Sequence, residues 1–232
     1  MRRVLVCIVL LFCGLLLDIN AQSRLYPGSS SVLKDYYQQV DELLLNGGEF
    51  NDFAFEIRPS FSGESGCWYD NKDSVLVLRN ASHNIWYSFS VHNHININSL
   101  NNKKKKHSKA FTVTEYRCPL SKESAHAFRN LFIAATFSSS HLAKPYGADG
   151  VTYQIYIGGG AFTAECWSPN DKSSNCGKLV ELLTCLKNAI INNKPQDIND
   201  LIPVADSLTK EFEQLYPDDI KDKSSWLLFL TD

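Results

Sequence analysis

The sequence lacks the short patterns that carry the most widespread enzymatic and metal-binding chemistries. No two of its seven cysteines are separated by only two residues, so the usual zinc-knuckle spacing is missing. Gly-x-Ser-x-Gly, His-Glu-x-x-His and Gly-x-Gly-x-x-Gly are absent as well. Hydrolases with a nucleophile elbow, zinc proteases and dinucleotide-binding enzymes therefore lose their usual support.

The chain also lacks an apolar run long enough to cross a bilayer comfortably. Its longest almost wholly apolar run, residues 4–17, has 14 residues, whereas a spanning helix needs roughly 20. Arg2 and Arg3 precede the run, and Ala21 provides a small residue at its exit. This pattern predicts a signal peptide over residues 1–21 and a secreted or periplasmic protein.

A lipoprotein leader is the alternative that the same segment leaves open. Bacterial lipoproteins are cleaved just before a cysteine that receives lipid, and Cys13 lies within the run. The residue before such a cysteine should be small, whereas Phe12 is large. Plain secretion is therefore the favoured interpretation.

The remainder of the chain has no strong excess of charge of one sign. Loss of Arg2, Arg3 and Asp18 with the leader would change the net charge from −2 to −3. A weakly acidic chain gives no reason to expect nucleic acid or an anionic membrane as a partner. Residues 22–232 suit one domain with a substantial core and no transmembrane segment.

Five cysteines remain after removal of the leader, an odd number for an oxidising compartment. Cys166 ends a strand-like run and Cys176 lies just before a helix, so a disulfide between them would clip the polar loop that connects the two. The second predicted disulfide joins Cys67 to Cys118. Five cysteines with one left unpaired allow 15 arrangements, and the sequence alone does not select one of them. Cys185 lies beside leucines in the helix, where a buried free thiol behaves as a small hydrophobic group.

Hydrophobic periodicity predicts an α+β fold, with an antiparallel sheet packed against several amphipathic helices. Helical spacing indicates helices after the serines at 29–31 and over residues 121–135, 177–192 and about 203–216. Alternation indicates strands over residues 53–58, 74–79, 84–95 and 111–118, and a hairpin over 152–157 and 161–167. The strands do not alternate with helices as in a parallel sheet.

Three short motifs follow one another in the second half of the chain. They are Asp149-Gly150-Val151-Thr152-Tyr153, Cys166-Trp167-Ser168-Pro169 and Gly177-Lys178-Leu179-Val180. Together they resemble a group of uncharacterised exported bacterial proteins, in which an Asp-Gly-x-x-Tyr strand leads to a Trp-Ser-Pro turn and an amphipathic helix. The group has no known activity, so the resemblance implies architecture only.

His92 and His94 are weak candidates for a metal site. Alternate strand residues point to the same face, and two imidazoles could share zinc or copper with a third ligand from elsewhere. No third ligand is evident in the sequence, so a solvated sheet face is the favoured interpretation. Neither a metal nor another cofactor is predicted.

Acid–base chemistry would require paired carboxylates in a cleft. Glu56, Asp149 and Glu165 are candidates on strand edges, and His92 could join them. Nothing in the sequence brings two of the carboxylates together, and a charged residue in a strand such as that of Glu165 more often faces outward.

The only dense charge patch of the chain consists of Lys103, Lys104, Lys105 and Lys106. These lysines could dock an acidic partner, although a run of like charges is more often a solvated loop.

Two hypotheses about function remain. The first is a secreted, non-enzymatic binding or interaction module. It is favoured by the predicted leader, the compact core and the lack of a recognised catalytic motif. The alternative is an exported hydrolase with an unrecognised carboxylate-based site.

Overall fold

The computed structural model describes residues 25–27, 34–87, 111–140, 149–169 and 171–216. Its strands are β1 Tyr26–Pro27, β2 Phe53–Pro59, β3 Ser65–Asp70, β4 Val75–Ala81, β5 Val113–Pro119, β6 Val151–Ile157 and β7 Phe162–Trp167. Its helices are α1 Lys34–Leu44, α2 Lys122–Phe137, α3 Asn175–Ile191, α4 Pro195–Asn199 and α5 Ile202–Glu213. The strands form one antiparallel sheet of order β1-β7-β6-β2-β3-β4-β5, which confirms the predicted α+β class.

The main core lies between one face of the sheet and helices α2, α3 and α5. Alternate residues of β2 supply Phe53 and Phe55, both fully buried. Phe132 of α2 meets both rings edge-on, with ring centroids 5.3 Å and 6.3 Å away. Edge-to-face contacts of this kind contribute about 0.5–1.5 kcal/mol per pair beyond the burial of apolar area.

Two serines fix the points at which the long helices begin. Ser121 Oγ accepts a hydrogen bond from the Ser124 N–H at 3.1 Å, and Ser174 Oγ accepts one from the Gly177 N–H at 3.1 Å. Each bond satisfies an N–H that the helix itself leaves without a partner. None of the helices within the described ranges is long and apolar enough to span a membrane.

Helix α1 crosses the opposite face of the sheet, termed the outer face below. A Cβ at Gly66 would lie 2.7 Å from the Leu44 carbonyl oxygen, so only glycine allows the end of α1 to lie directly on β3. Val40 and Leu44 are fully buried and belong to one apolar cluster with Ile85. The helix therefore buries part of a sheet face that alternation alone would assign to solvent.

The predicted strand over residues 84–95 is wrong at its start, because residues 85–87 form a helical turn. Asn84 Oδ1 accepts a hydrogen bond from the Tyr87 N–H at 2.8 Å, as a helix cap does. The buried Glu64 carboxylate accepts hydrogen bonds from the N–H groups of Ile85 at 2.6 Å and of Trp86 at 3.3 Å. A carboxylate at the first N–H groups of a helical turn stabilises that turn. Residues 88–95 of the prediction lie outside the described residues.

Candidate functional site

A buried set of charged and hydroxyl side chains lies on the outer face beneath α1. Arg58 Nη1 donates a hydrogen bond to Glu56 Oε2 at 2.8 Å, and Arg58 Nη2 lies 3.6 Å from Glu165 Oε2. Glu56 and Arg58 alternate on β2, whereas Glu165 extends from β7, on the far side of β6. The Tyr156 hydroxyl donates a second hydrogen bond to Glu56 Oε2 at 2.8 Å. The Arg58 cluster, as we name it, consists of Tyr37, Asp41, Glu56, Arg58, Tyr156 and Glu165.

The other oxygen of Glu56, Oε1, is buried and has no hydrogen-bond partner in the described part of the chain. Asp41 on α1 is close enough to Glu56 for each carboxyl group to affect the pKa of the other. Burial, opposed by Arg58 and reinforced by Asp41, raises the pKa of Glu56 to about 7. Burial also raises the pKa of Asp41.

The two glutamates of the Arg58 cluster differ in burial. Glu56 is fully buried, the Arg58 side chain is 6% exposed, and the Glu165 side chain is 18% exposed. Burial raises the pKa of Glu165 as well, and Arg58 opposes that rise. Two carboxyl groups whose environments differ are the kind of pair that general acid–base catalysis uses.

The raised pKa of Glu56 makes folding stability depend on pH in a defined window. The folded protein holds the Glu56 proton up to about pH 7, whereas the unfolded chain releases it near its usual pKa of 4.5. The folded state binds more protons between these values. The contribution of Glu56 protonation to the free energy of unfolding is therefore complete below pH 4.5 and should be lost as the pH rises through 7. One proton gives a slope of at most about 1.4 kcal/mol per pH unit.

Urea unfolding between about pH 5 and pH 8 measures this dependence. Glu56→Gln should flatten the curve, because an amide does not titrate. Glu181→Gln, at an exposed position of α3, should leave the curve unchanged. The same pH dependence in the protein and in Glu56→Gln would contradict the assignment of the proton to Glu56.

A second polar feature lies over β3, β4 and β5 and the segment that follows α1. It is a half-open groove of about 270 Å³, termed the polar groove. Its lining residues are Asn46, Glu49, Phe50, Asn51, Trp68, Tyr69, Asp70, Asn71, Lys72, Arg79, Glu115 and Arg117. Phe50, Trp68 and Tyr69 are buried, so amides, carboxylates and guanidinium groups supply the accessible chemistry of the groove.

Ion pairs hold the two arginines of the polar groove in place. Arg79 Nε donates to Glu115 Oε2 at 2.9 Å, and the Arg79 guanidinium carbon lies 5.0 Å from the centre of the Trp68 ring. Arg117 Nη2 donates to Asp73 Oδ2 at 2.7 Å, and its Nη1 lies 3.6 Å from Glu115 Oε1. These partners orient both guanidinium groups before any ligand arrives.

The structure brings together two of the four residues that the sequence suggests for acid–base chemistry. Glu56 and Glu165 both face Arg58. The Glu165 side chain is only 18% exposed, so the expectation that it points into solvent is wrong. Asp149 is exposed before β6, and no described ion pair of Arg58 involves it. His92 and His94 lie outside the described residues, as do Lys103, Lys104, Lys105 and Lys106. Among the described residues, no group of three or more His, Cys, Asp or Glu side chains could hold a metal ion.

The sequence analysis missed Asp41, Arg58 and Tyr156. The available signal was the spacing of Glu56 and Arg58, because residues two apart on a strand share one face and these two carry opposite charges. No comparable signal exists for Asp41, which lies on the helix that covers the sheet.

All five cysteines in the described part of the chain are free thiols. Cys166 and Cys176 are both buried in the main core, and a hydrogen bond between the two thiols raises the pKa of Cys166 further than burial alone does. Cys185 is exposed, so its predicted burial is wrong.

The structure does not show the predicted disulfide between Cys67 and Cys118. Cys67 lies on β3 and Cys118 on β5, with β4 between them. Two interstrand spacings separate their backbones by about 9–10 Å, whereas a disulfide requires Cα atoms within about 7 Å. A bridge would therefore require movement of the strands.

The three short motifs of the second half of the chain hold the architecture together. A Cβ at Gly150 would lie 2.6 Å from the Trp167 ring, and the Val151 N–H donates a hydrogen bond to Ser168 Oγ at 2.7 Å. A Cβ at Gly177 would lie 2.2 Å from the Asp171 carbonyl oxygen. The motifs therefore join the start of β6 to the end of β7 and α3 to the preceding loop.

Comparisons with known proteins give no relative for this chain: no family model, curated protein or solved structure matches it.

Proposed function

We propose that this chain is an exported protein, secreted or periplasmic, that acts as a non-enzymatic binding module through the polar groove. The single observation that carries the proposal is the groove itself, a half-open space of about 270 Å³ whose arginines are oriented in advance by ion pairs. A concave site with a few oriented polar groups is the usual form of a small-ligand site. The leader at residues 1–21 and the resemblance to exported bacterial proteins support the location.

Binding at the polar groove is testable with the purified protein by two-dimensional nuclear magnetic resonance. Four probe classes are titrated: neutral oligosaccharides, oligogalacturonate, an acidic peptide and a basic peptide. At least one class should shift the side-chain signals of Arg79, Arg117 and the Trp68 indole. Asn51→Ala with Asn71→Ala removes two lining amides without breaking an ion pair, and should weaken that binding at least about tenfold. Asn188→Ala, at an exposed position of α3, is the matched control.

Export is testable separately with the full sequence. Expression should give a product outside the cytoplasm whose first residue is Gln22. Retention of residues 1–21 on the product, or cleavage before Cys13, would contradict the proposed leader. Contact of an acidic partner with Lys103, Lys104, Lys105 and Lys106 stays a prediction.

The proposal includes one disulfide, between Cys166 and Cys176. The hydrogen bond between the two thiols and the oxidising compartment support it. Thiol–disulfide exchange with an external disulfide, such as oxidised glutathione, would form the bond between the two sulfurs, break the external S–S bond and release two molecules of reduced glutathione. The bridge would hold the end of β7 against the start of α3.

Mass spectrometry of the exported protein tests the disulfide. The intact mass should be two hydrogen atoms lower than that of the fully reduced chain, and Cys166→Ser should abolish the difference. Without reductant, unfolded protein should be alkylated at Cys67, Cys118 and Cys185. Before unfolding, Cys185 should react first because it alone of the five is exposed. Alkylation of Cys166 and Cys176 without reductant would contradict the bridge.

The second candidate function is an exported hydrolase that uses the Arg58 cluster. The specific observation in its favour is the meeting of Glu56 and Glu165 at Arg58, with the pKa of Glu56 raised to about 7 mainly by burial. Glu165 would meet the substrate, because Glu56 is fully buried. A screen against ester, peptide, glycoside and peptidoglycan substrates should then find turnover that Glu165→Gln abolishes and Glu181→Gln retains. Turnover unchanged in Glu165→Gln would exclude this candidate.

A further inference from the structure

We propose that the polar groove takes a neutral, polyhydroxylated ligand, that is, an uncharged glycan. This inference rests on the proposed function, since it names the ligand class of the same site.

The charges at the polar groove nearly balance. Its lining holds three cationic side chains, Lys72, Arg79 and Arg117, and three carboxylates, Glu49, Asp70 and Glu115. Asp73, outside the lining, pairs with Arg117 and adds one negative charge. An anionic ligand would compete with Glu115 and Asp73 for the two arginines, and a cationic ligand would compete with the arginines for these carboxylates. A neutral ligand leaves these ion pairs in place.

The ion pairs leave much of the hydrogen-bonding capacity of the groove unused. A guanidinium group has five N–H donors and a carboxylate has about four acceptor positions. The bond from Arg79 Nε to Glu115 Oε2 uses one of each. The Arg79 and Glu115 side chains are 23% and 37% exposed, so the remaining donors and acceptors are accessible next to each other.

A sugar hydroxyl matches this arrangement because it donates one hydrogen bond and accepts others. One hydroxyl can therefore donate a hydrogen bond to Glu115 and accept one from Arg79. The neighbouring hydroxyl of the sugar ring can accept a hydrogen bond from Arg117 in the same way. Asn46, Asn51 and Asn71 add amide groups that both donate and accept. The Arg79 guanidinium group is already held by Trp68 and Glu115, so little of its side-chain freedom is lost on binding.

The size of the groove suits part of a chain of sugars. Its volume of about 270 Å³ lies just below the usual range for drug-sized ligands, about 300–1,000 Å³. Because the groove is half-open, the ends of a longer oligosaccharide can extend beyond it into solvent.

Isothermal titration calorimetry tests the ligand class. The probes are neutral oligomers of glucose, mannose, galactose and N-acetylglucosamine, together with oligogalacturonate, inorganic phosphate and oligolysine. At least one neutral oligomer should bind. Its dissociation constant should change less than about twofold between low and high salt, because no net charge is neutralised. Asn51→Ala with Asn71→Ala should raise that constant at least about tenfold, whereas Asn188→Ala should leave it unchanged.

The outcomes separate this inference from the proposed function. Binding of oligogalacturonate, phosphate or oligolysine at the groove, with no neutral oligomer bound, overturns the ligand class and retains the binding site. No shift of any groove signal with any probe class overturns the inference together with the proposed function. A neutral oligomer whose affinity is unaffected by the two asparagine substitutions binds elsewhere and overturns the assignment to the groove.

Discussion

Replacement of Arg58 by methionine should lower the free energy of unfolding by about 3–5 kcal/mol, the usual cost of removing one partner from a buried ion pair. Arg58 is the cation that faces both Glu56, at 2.8 Å, and Glu165, at 3.6 Å. Methionine keeps much of the volume beneath Tyr37 but leaves the fully buried Glu56 and the half-buried Glu165 without a cation. Urea unfolding at about pH 8, above the pKa of Glu56, measures the loss.

Arg117→Met is the matched control for this prediction. The Arg117 side chain is 46% exposed and pairs with Asp73 in solvent, so its loss should cost less than about 1 kcal/mol. Glu56→Gln added to Arg58→Met should recover part of the stability, because an amide does not require a cation. Equal losses in Arg58→Met and Arg117→Met would show that the Arg58 cluster contributes no more than a surface ion pair.

The regular elements were predictable where the local sequence pattern is strong. Helix α2 shows apolar residues at helical spacing and an N-terminal serine cap, and the hairpin of β6 and β7 shows alternation around three glycines. In both cases the pattern that selects the local structure is the pattern that packs into the core. These predictions therefore required no knowledge of the rest of the chain.

Strand β3 was not predictable because both of its faces are covered. Cys67 and Tyr69 face the main core, whereas Gly66 and Trp68 lie on the outer face beneath α1 and its following segment. A strand buried on both sides loses the alternation of apolar and polar residues. Its sequence, Ser-Gly-Cys-Trp-Tyr-Asp, also contains turn-forming residues that suggest a loop.

The Arg58 cluster was not predictable because its members come from four elements. Glu56 and Glu165 meet only because β6 lies between β2 and β7, and the order of strands in a sheet is a property of the whole fold. Asp41 joins them from α1, on a helix whose polar side would otherwise face water. Burial of these groups is therefore a consequence of tertiary packing.

The helix that contains Cys185 was predicted correctly, but the position of Cys185 around the helix axis was not. The large aliphatic residues that α3 buries are Leu179, Leu182, Leu183, Leu186 and Ile190. At 3.6 residues per turn, Cys185 lies roughly 120° around the helix from the centre of that set. Proximity in sequence to buried leucines did not place it on their face.

Glu64 should be as important for stability as Arg58. It is fully buried at the end of the loop before β3, and its carboxylate accepts three hydrogen bonds. The donors are the Tyr36 hydroxyl at 3.0 Å, the Ile85 N–H at 2.6 Å and the Trp86 N–H at 3.3 Å. The carboxylate thereby joins α1 to the helical turn that follows β4.

Glu64→Ala should lower the free energy of unfolding by about 3–5 kcal/mol, because it removes a charged acceptor of three buried hydrogen bonds and leaves a cavity. Hydrogen exchange at the amides of Ile85 and Trp86 should accelerate, because the helical turn loses the carboxylate at its first N–H groups. Glu42→Ala, an exposed glutamate on α1, is the matched control and should stay within about 0.5 kcal/mol of the original protein. Glu64→Gln should have an intermediate effect, since the amide keeps one acceptor oxygen but turns a donor toward backbone N–H groups. Equal stability of Glu64→Ala and Glu42→Ala would show that the Glu64 carboxylate does not hold α1 to this turn. The apolar cluster of Val40, Leu44 and Ile85 would then have to hold α1 and the turn together.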